Sequence, residues 1–256
     1  CAWIYHFHLF EEAPCVVAAD TNDYQNQHSK QLVYHSRVQL LVQLSSHHSA
    51  ADAAEVEAIL AQARADVEAA KSLVCASDIF TDVEADAWYH EGVDFVVRKG
   101  YMNGVSNELF DLNGNVKRAQ LVTILYRIAG EPDVSGLTHS FADVEPGAFY
   151  ENAVIWAAAN GIVNGVSETL FAPNNELPRE QIATILYRYN GSPAVEEDHL
   201  AVFTDRDSIS AYAVDAMNWA VAEGILNGMD QTTLSPGSFA NRAQIAVILM
   251  RHLTAK

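Results

Sequence analysis

One unit of sequence occurs three times between residues 80 and 251, and that repetition limits what the chain can fold into more than any other feature. Phe80-Thr81-Asp82-Val83 returns as Phe141-Ala142-Asp143-Val144 and as Phe203-Thr204-Asp205-Arg206. Gly100-Tyr101-Met102-Asn103-Gly104 returns as Gly161-Ile162-Val163-Asn164-Gly165 and as Gly224-Ile225-Leu226-Asn227-Gly228. Arg118-Ala119-Gln120, Arg179-Glu180-Gln181 and Arg242-Ala243-Gln244 stand near the end of each copy. The first two copies are offset by 61 residues throughout; the next offset is 62 at the opening Phe and 63 from the first helix onward, one insertion within Asp205–Ser210. A period above about 60 residues is long for a solenoid and suits a small supersecondary unit with linkers.

Each copy reads as helix, loop, helix. The first helix is expected near 88–99, 149–160 and 212–223, because Val93, Val96 and Val97, then Val154, Trp156 and Ala157, then Met217, Trp219 and Ala220, share one helical face. Gly100, Gly161 and Gly224 follow at the position where a left-handed residue ends a helix, each succeeded by an apolar residue. The second helix is expected to start at Arg118, Arg179 and Arg242, with apolar Leu121, Ile124 and Leu125 and their counterparts behind. Asn241-Arg242-Ala243-Gln244 is a capping box, whereas Lys117 and Pro178 at the same place require other caps. Gly-Glu-Pro in 129–140 and Gly-Ser-Pro in 190–202 mark linkers.

A two-helix unit buries too little apolar surface to stand alone. The expected fold is therefore mainly α: three helix-loop-helix repeats over 79–128, 140–189 and 202–253, closed on one core as a pseudo-threefold helical assembly. A helical leader precedes them. Residues 50–78 are Ala- and acid-rich with apolar Val56, Ile59, Leu60 and Val67, which fits a helical stalk, and 1–49 take no assigned fold.

These residues resemble the S-layer homology domain. The resemblance rests on the opening Phe-x-Asp-Val, the aromatic at Trp88, Phe149 or Tyr212, the Gly-Ile-x-Asn-Gly turn and the Arg-Ala-Gln helix start. In that family a Thr-Arg-Ala-Glu motif opens the second helix. Here the arginine is kept in all three copies, while Thr is lost and Glu is Gln throughout. The resemblance implies non-covalent anchoring of a secreted bacterial protein to the cell wall, at the cell surface or S-layer. It implies as partner a secondary cell-wall polysaccharide, often bearing pyruvate ketals, or a peptidoglycan-linked glycan, bound in grooves between repeats. Two rivals stand beside it: self-assembly with other S-layer subunits, and the tail of an extracellular enzyme whose catalytic part lies upstream.

Arg118, Arg179 and Arg242 each put a cation in the first turn of a helix, against the positive end of its dipole. Either each pairs with an acid of its own repeat, or the guanidinium and free helix N–H groups together take a carboxylate, for which the planar fork of Arg is suited. Gln120, Gln181 and Gln244 accompany them as candidate glycan contacts. Asp82, Asp143 and Asp205 precede the first helix and are expected chiefly to cap it or favour its dipole. Gly104, Gly165 and Gly228 belong to an Asn-Gly turn near which the family places part of its groove. Trp88, Phe149 and Tyr212 suit sugar stacking, but core packing is the expected main use.

With 33 acidic against 15 basic residues the chain carries a formal charge of −18. That excess argues against nucleic acid and against anionic membrane surfaces. It also repels an anionic polymer at long range, so glycan binding must rest on local contacts. No run of 18 apolar residues occurs, so no membrane span is expected. The start at Cys1 reads as a truncated sequence rather than as a lipidated terminus, whose tether is usually polar. Cys1, Cys15 and Cys75 lack metal or disulfide-framework spacing. Six of the ten histidines fall in 1–48 without a completing ligand set, and Asp111–Asn115 lacks the glycine and glutamate positions of a calcium loop, so no metal and no cofactor is expected. No nucleophile elbow, P-loop or dinucleotide fingerprint appears, and the repeats read as non-catalytic.

Overall fold

The computed structural model describes residues 61, 62, 65 and 75–254. The stalk expected over 50–78 falls mostly outside them, although 61, 62 and 65 are helical. Residues 1–49, with their histidines, lie outside them entirely. The described residues belong to two compact units: 61, 62, 65 and 75–78 with Glu84–Trp88, and Ile79–Val83 with 89–254. In the first, Cys75 is disulfide-bonded, which corrects the expectation that the cysteines form no bridge.

The second unit is built from six helices: α1 (His90–Arg98), α2 (Arg118–Ile128), α3 (Glu151–Ala159), α4 (Arg179–Tyr189), α5 (Val214–Ala222) and α6 (Arg242–Thr254). Two helices per repeat stand where the periodicity placed them, the first of each pair two residues shorter at its start and one at its end. Each first helix ends on a glycine with φ of +70°, +67° or +65°. The amides of Tyr101, Ile162 and Ile225 then reach back to the carbonyls of Val96, Ala157 and Ala220 at 2.8–2.9 Å. This is the Schellman closure, and it turns the chain sharply toward the Asn-Gly loop.

The two helices of one repeat are not each other's main partners. α2 packs on α3, α4 on α5, and α6 returns to pack on α1. Each repeat thus lends its second helix to the next, and the third lends its own to the first. Gly92 permits the last of these contacts, since a Cβ there would sit 2.8 Å from Val247. The predicted apolar faces meet in these pairs: Val93, Val96, Val154, Ala157, Met217 and Ala220 are all buried, as are Leu121, Leu125, Ile182, Leu186, Ile245 and Leu249.

The same cycle appears in the backbone just ahead of the second helices. Val116 donates its amide to the carbonyl of Ala240 at 3.0 Å, Ala240 to Leu177 at 3.3 Å, and Leu177 to Val116 at 3.1 Å. All three side chains are fully buried. Three residues at equivalent positions in three repeats therefore close a ring of amide bonds. The pseudo-threefold arrangement has this ring at its centre.

Candidate functional site between the repeats

Where one repeat meets the next, a loop of the second is threaded onto the helix start of the first. The first two N–H groups of a helix have no intrahelical acceptor. Here the amides of Arg118 and Ala119 donate to Asn175 and Pro173, those of Arg179 and Glu180 to Ser238 and Pro236, and those of Arg242 and Ala243 to Gly114 and Leu112, all at 2.9–3.1 Å. The helix N–H groups expected to await a ligand carboxylate are therefore occupied.

The arginine side chains follow the same path. Arg118 donates through Nε to Phe171 O at 3.0 Å and through Nη2 to Asn164 O at 2.9 Å. Arg179 makes the equivalent bonds to Leu234 O at 2.8 Å and Asn227 O at 2.6 Å. Arg242 makes them to Phe110 O at 2.7 Å and Asn103 O at 2.6 Å. The guanidinium lies over the ring of Phe171 for Arg118 and of Phe110 for Arg242, at 4.9 and 4.5 Å from the centroids. All three arginines are buried. Burial pushes each guanidinium below the usual arginine value. None of the three forms an ion pair with an acid of its own repeat, as one expectation had it. Carbonyls of the following repeat satisfy them instead, so each arginine ties two repeats together.

Asp82, Asp143 and Asp205 do not cap the first helix, and no side chain bonds at the caps of α1, α3 or α5. Each reaches forward to the loop before the second helix of its own repeat. Asp82 accepts from the amides of Phe110 and Asp111 at 2.8 Å, Asp143 from Phe171 and Ala172 at 2.8 and 2.7 Å, and Asp205 from Leu234 and Ser235 at 2.9 and 2.7 Å. The second residue of each pair has a positive φ of 63°, 60° or 51° without being glycine. The carboxylate holds that unfavourable turn in place. Phe110 is consequently gripped at both ends, its N–H by Asp82 and its C=O by Arg242, and Phe171 and Leu234 repeat the arrangement.

At the Asn-Gly turn the asparagine carbonyl is the acceptor that the arginine needs. The glycine is required by crowding: a Cβ on Gly104, Gly165 or Gly228 would lie 2.1–2.6 Å from a loop carbonyl oxygen. The glutamines diverge. Gln120 and Gln244 cap their own helices, accepting from Lys117 N at 2.8 Å and Asn241 N at 3.1 Å. Gln244 N donates in turn to Asn241 Oδ1 at 2.9 Å, completing the predicted capping box. Gln181 instead accepts from Arg118 Nη1 at 3.2 Å.

Trp88, Phe149 and Tyr212 are 65, 71 and 54% exposed, which corrects the expected core role. Phe149 and Tyr212, just ahead of α3 and α5, stand outside the helix-pair seams. Tyr212 alone carries a hydroxyl, and it donates to Glu180 Oε1 at 2.9 Å. Glu180 also accepts from Ser210 N and Oγ at 2.9 and 2.8 Å. Burial first, then the bond to Glu180, pushes the Tyr212 phenol up to about 12. Glu180 was not singled out from the sequence. The signal was there in Arg179-Glu180-Gln181, where the other two copies have alanine between arginine and glutamine.

Three helix-loop-helix repeats, closed into a cycle by their second helices and by buried inter-repeat arginines, define a module built on one recurring sequence pattern. The sequence pattern of the S-layer homology domain matches residues 79–122, 140–183 and 202–246. The chain belongs to that family, whose domains anchor proteins to the cell surface and are not catalytic modules. It is 32% identical over 167 residues to the Surface-layer 125 kDa protein of Lysinibacillus sphaericus, covering 63% of this chain and 14% of that one. It is 27% identical over 173 residues to the amylopullulanase of Thermoanaerobacterium thermosulfurigenes, 66% of this chain and 9% of the enzyme. With the Cellulosome-anchoring protein of Acetivibrio thermocellus it shares 24% over 159 residues, 60% of this chain and 35% of that one. The chain spans a small part of each of these relatives. Among the described residues no helix is long and apolar enough to cross a membrane.

Proposed function

We propose that this chain holds a secreted bacterial protein on the wall by binding an acidic secondary cell-wall polysaccharide in the grooves between repeats. The observation that carries this reading is the exposure of Trp88, Phe149 and Tyr212 at one equivalent position in all three repeats. Large aromatic faces left in solvent three times over cost the fold apolar burial, and flat rings match the C–H faces of sugars. The arginines supply local positive charge in a chain that is otherwise strongly acidic. Recognition then works at contact range, with encounter slowed by net repulsion at low salt.

The test is sedimentation with purified cell walls before and after chemical stripping of the secondary polymer. The chain pellets with intact walls and stays in solution with stripped ones. Phe149→Ala, which touches no buried bond, weakens the association by about fivefold. Undiminished pelleting with stripped walls would falsify the polysaccharide reading and point to peptidoglycan or protein.

Self-assembly in a surface lattice is the second reading. Val105, Leu109, Val166, Leu170 and Met229, at matching loop positions, are 44–58% exposed and favour protein contact. Concentration-dependent sedimentation of the chain without walls is its test.

A further inference from the structure

Asn-Gly pairs occur six times in the chain, and the fold treats them in two ways. Such a pair is chemically labile. Once the glycine N–H has lost its proton, the nitrogen, unhindered by a Cβ, attacks Cγ of the asparagine before it.

In Asn160-Gly161 and Asn190-Gly191 both reacting groups are held. Gly161 N and Gly191 N donate to Ala158 O and Arg188 O at 3.1 and 3.0 Å. The asparagine Nδ2 atoms donate to Trp156 O and Leu186 O at 2.8 and 2.7 Å. In Asn113-Gly114 the glycine nitrogen donates to Asp111 O at 3.1 Å. The Asp111 carboxylate also stands against that glycine and opposes an anion there.

The three repeat turns differ. Among the described residues, Gly104 N, Gly165 N and Gly228 N donate no hydrogen bond, and the side chains of Asn103, Asn164 and Asn227 make none. All three asparagines are exposed. Nor does the backbone call for asparagine, since none of the three has the left-handed φ in which that residue is favoured. What the fold uses is the main-chain carbonyl. Nη2 of Arg242 holds that of Asn103 at 2.6 Å, Arg118 that of Asn164 at 2.9 Å, and Arg179 that of Asn227 at 2.6 Å. This carbonyl and the glycine nitrogen belong to one peptide unit. Removing the N–H proton spreads negative charge onto the same oxygen, so a cation already bonded there stabilises the attacking anion.

We propose that the three turns are sites of intramolecular deamidation, activated by Arg118, Arg179 and Arg242. Hydroxide takes the glycine N–H proton. The nitrogen bonds to Cγ, the Cγ–Nδ2 bond breaks, and ammonia leaves with a proton from water, closing a succinimide. Water then opens the ring at either carbonyl, to aspartate or isoaspartate, and nothing is oxidised or reduced. Opening at the main-chain carbonyl gives isoaspartate, whose new carboxylate contains the oxygen that the guanidinium already held. A neutral acceptor thereby becomes half of an ion pair, which favours the iso product.

The test incubates the whole chain in mildly alkaline buffer, once folded and once in urea. Peptide mapping by mass spectrometry follows the exchange of NH2 for OH at each Asn-Gly pair, and isoaspartyl methyltransferase labelling measures the iso form. Asn103, Asn164 and Asn227 convert about tenfold faster in the folded chain than in urea, whereas Asn113, Asn160 and Asn190 convert more slowly when folded. Arg118→Lys, which cannot keep the fork geometry, slows Asn164 alone. Asn103 and Asn227 keep their parent rates in that variant and so report an intact fold. The parent comparison needs no variant. Turn sites that convert no faster folded than in urea overturn the proposal, as does an unchanged Asn164 rate in folded Arg118→Lys.

Discussion

Arg242 gives its Nε–H to the carbonyl of Phe110, 2.7 Å away and 132 residues earlier in the chain. That bond joins the last helix start to the first repeat. With its counterparts from Arg118 to Phe171 and Arg179 to Leu234 it makes every repeat dependent on the next.

Replacing Arg242 by alanine removes two charge-assisted bonds and strands the buried carbonyl of Phe110 beside the part-buried one of Asn103. A loss of about 3 kcal/mol is expected in urea unfolding. Arg242→Lys recovers little of it, because an ammonium cannot span both carbonyls as the planar fork does. A loss under about 1 kcal/mol for the alanine variant would show that the joint is not a stabilising element.

Gly165→Ala places a methyl 2.1 Å from Ser167 O and 2.5 Å from Leu170 O. The turn must open, which withdraws the Asn164 carbonyl from Arg118. Expected destabilisation is about 3 kcal/mol by thermal melting, against a much smaller effect for alanine at Gly237, which has open space around it.

Ala172 pays for a left-handed backbone with φ of +60°. Ala172→Gly relieves that strain at some cost in unfolded-chain entropy, for a net gain of about 0.5–1 kcal/mol. Ser235→Gly behaves alike. A fall in stability for both would mean that the loop is not strained.

Burial raises the Asp82 carboxyl, but the amides of Phe110, Asp111 and Leu112 together outweigh that effect and leave it below the usual aspartate value. A carboxyl lowered on folding stabilises the chain above its unfolded pKa of about 4, and that contribution drains as pH falls through the folded value. Unfolding free energy measured from about pH 6 to pH 2 should therefore fall less steeply for Asp82→Asn than for the parent chain. Parallel curves would remove the linkage.

Tyr212 is the opposite case. Its phenol is pushed up to about 12, by burial first and then by Glu180, so the neutral form is favoured on folding. The stability it supplies is complete below about pH 10 and is lost as pH rises through the folded value. Ultraviolet titration of tyrosinate should show a late-ionising phenol that moves to lower pH in Glu180→Ala. No change between the two titrations would break the link between Tyr212 and Glu180.

Helix positions were legible because periodicity and end signals are local. Arg118, Arg179 and Arg242 were correctly placed at the second-helix starts, and the glycines after α1, α3 and α5 ended them as read. What the sequence hid was partnership. Asp82 finds its acceptor role 28–30 residues downstream, beyond the reach of any cap rule. The guanidiniums bond carbonyls 46–139 residues away in another repeat, and carbonyls leave no mark in a sequence. Trp88, Phe149 and Tyr212 read as core because large rings usually are; only the packing of α2 on α3 and α4 on α5 shows that those seams close without Phe149 and Tyr212.

The amide ring of Val116, Leu177 and Ala240 also settles a matter of arithmetic. An open array of repeats can gain or lose a member at an end and change its stability by one increment. Here there is no end to extend. A fourth copy would have to open three bonds and reclose them at a quarter-turn instead of a third, and a chain with two copies would leave a helix face and a loop without partners. The copy number is fixed by geometry, so duplication of this segment in evolution should yield a second complete ring of three.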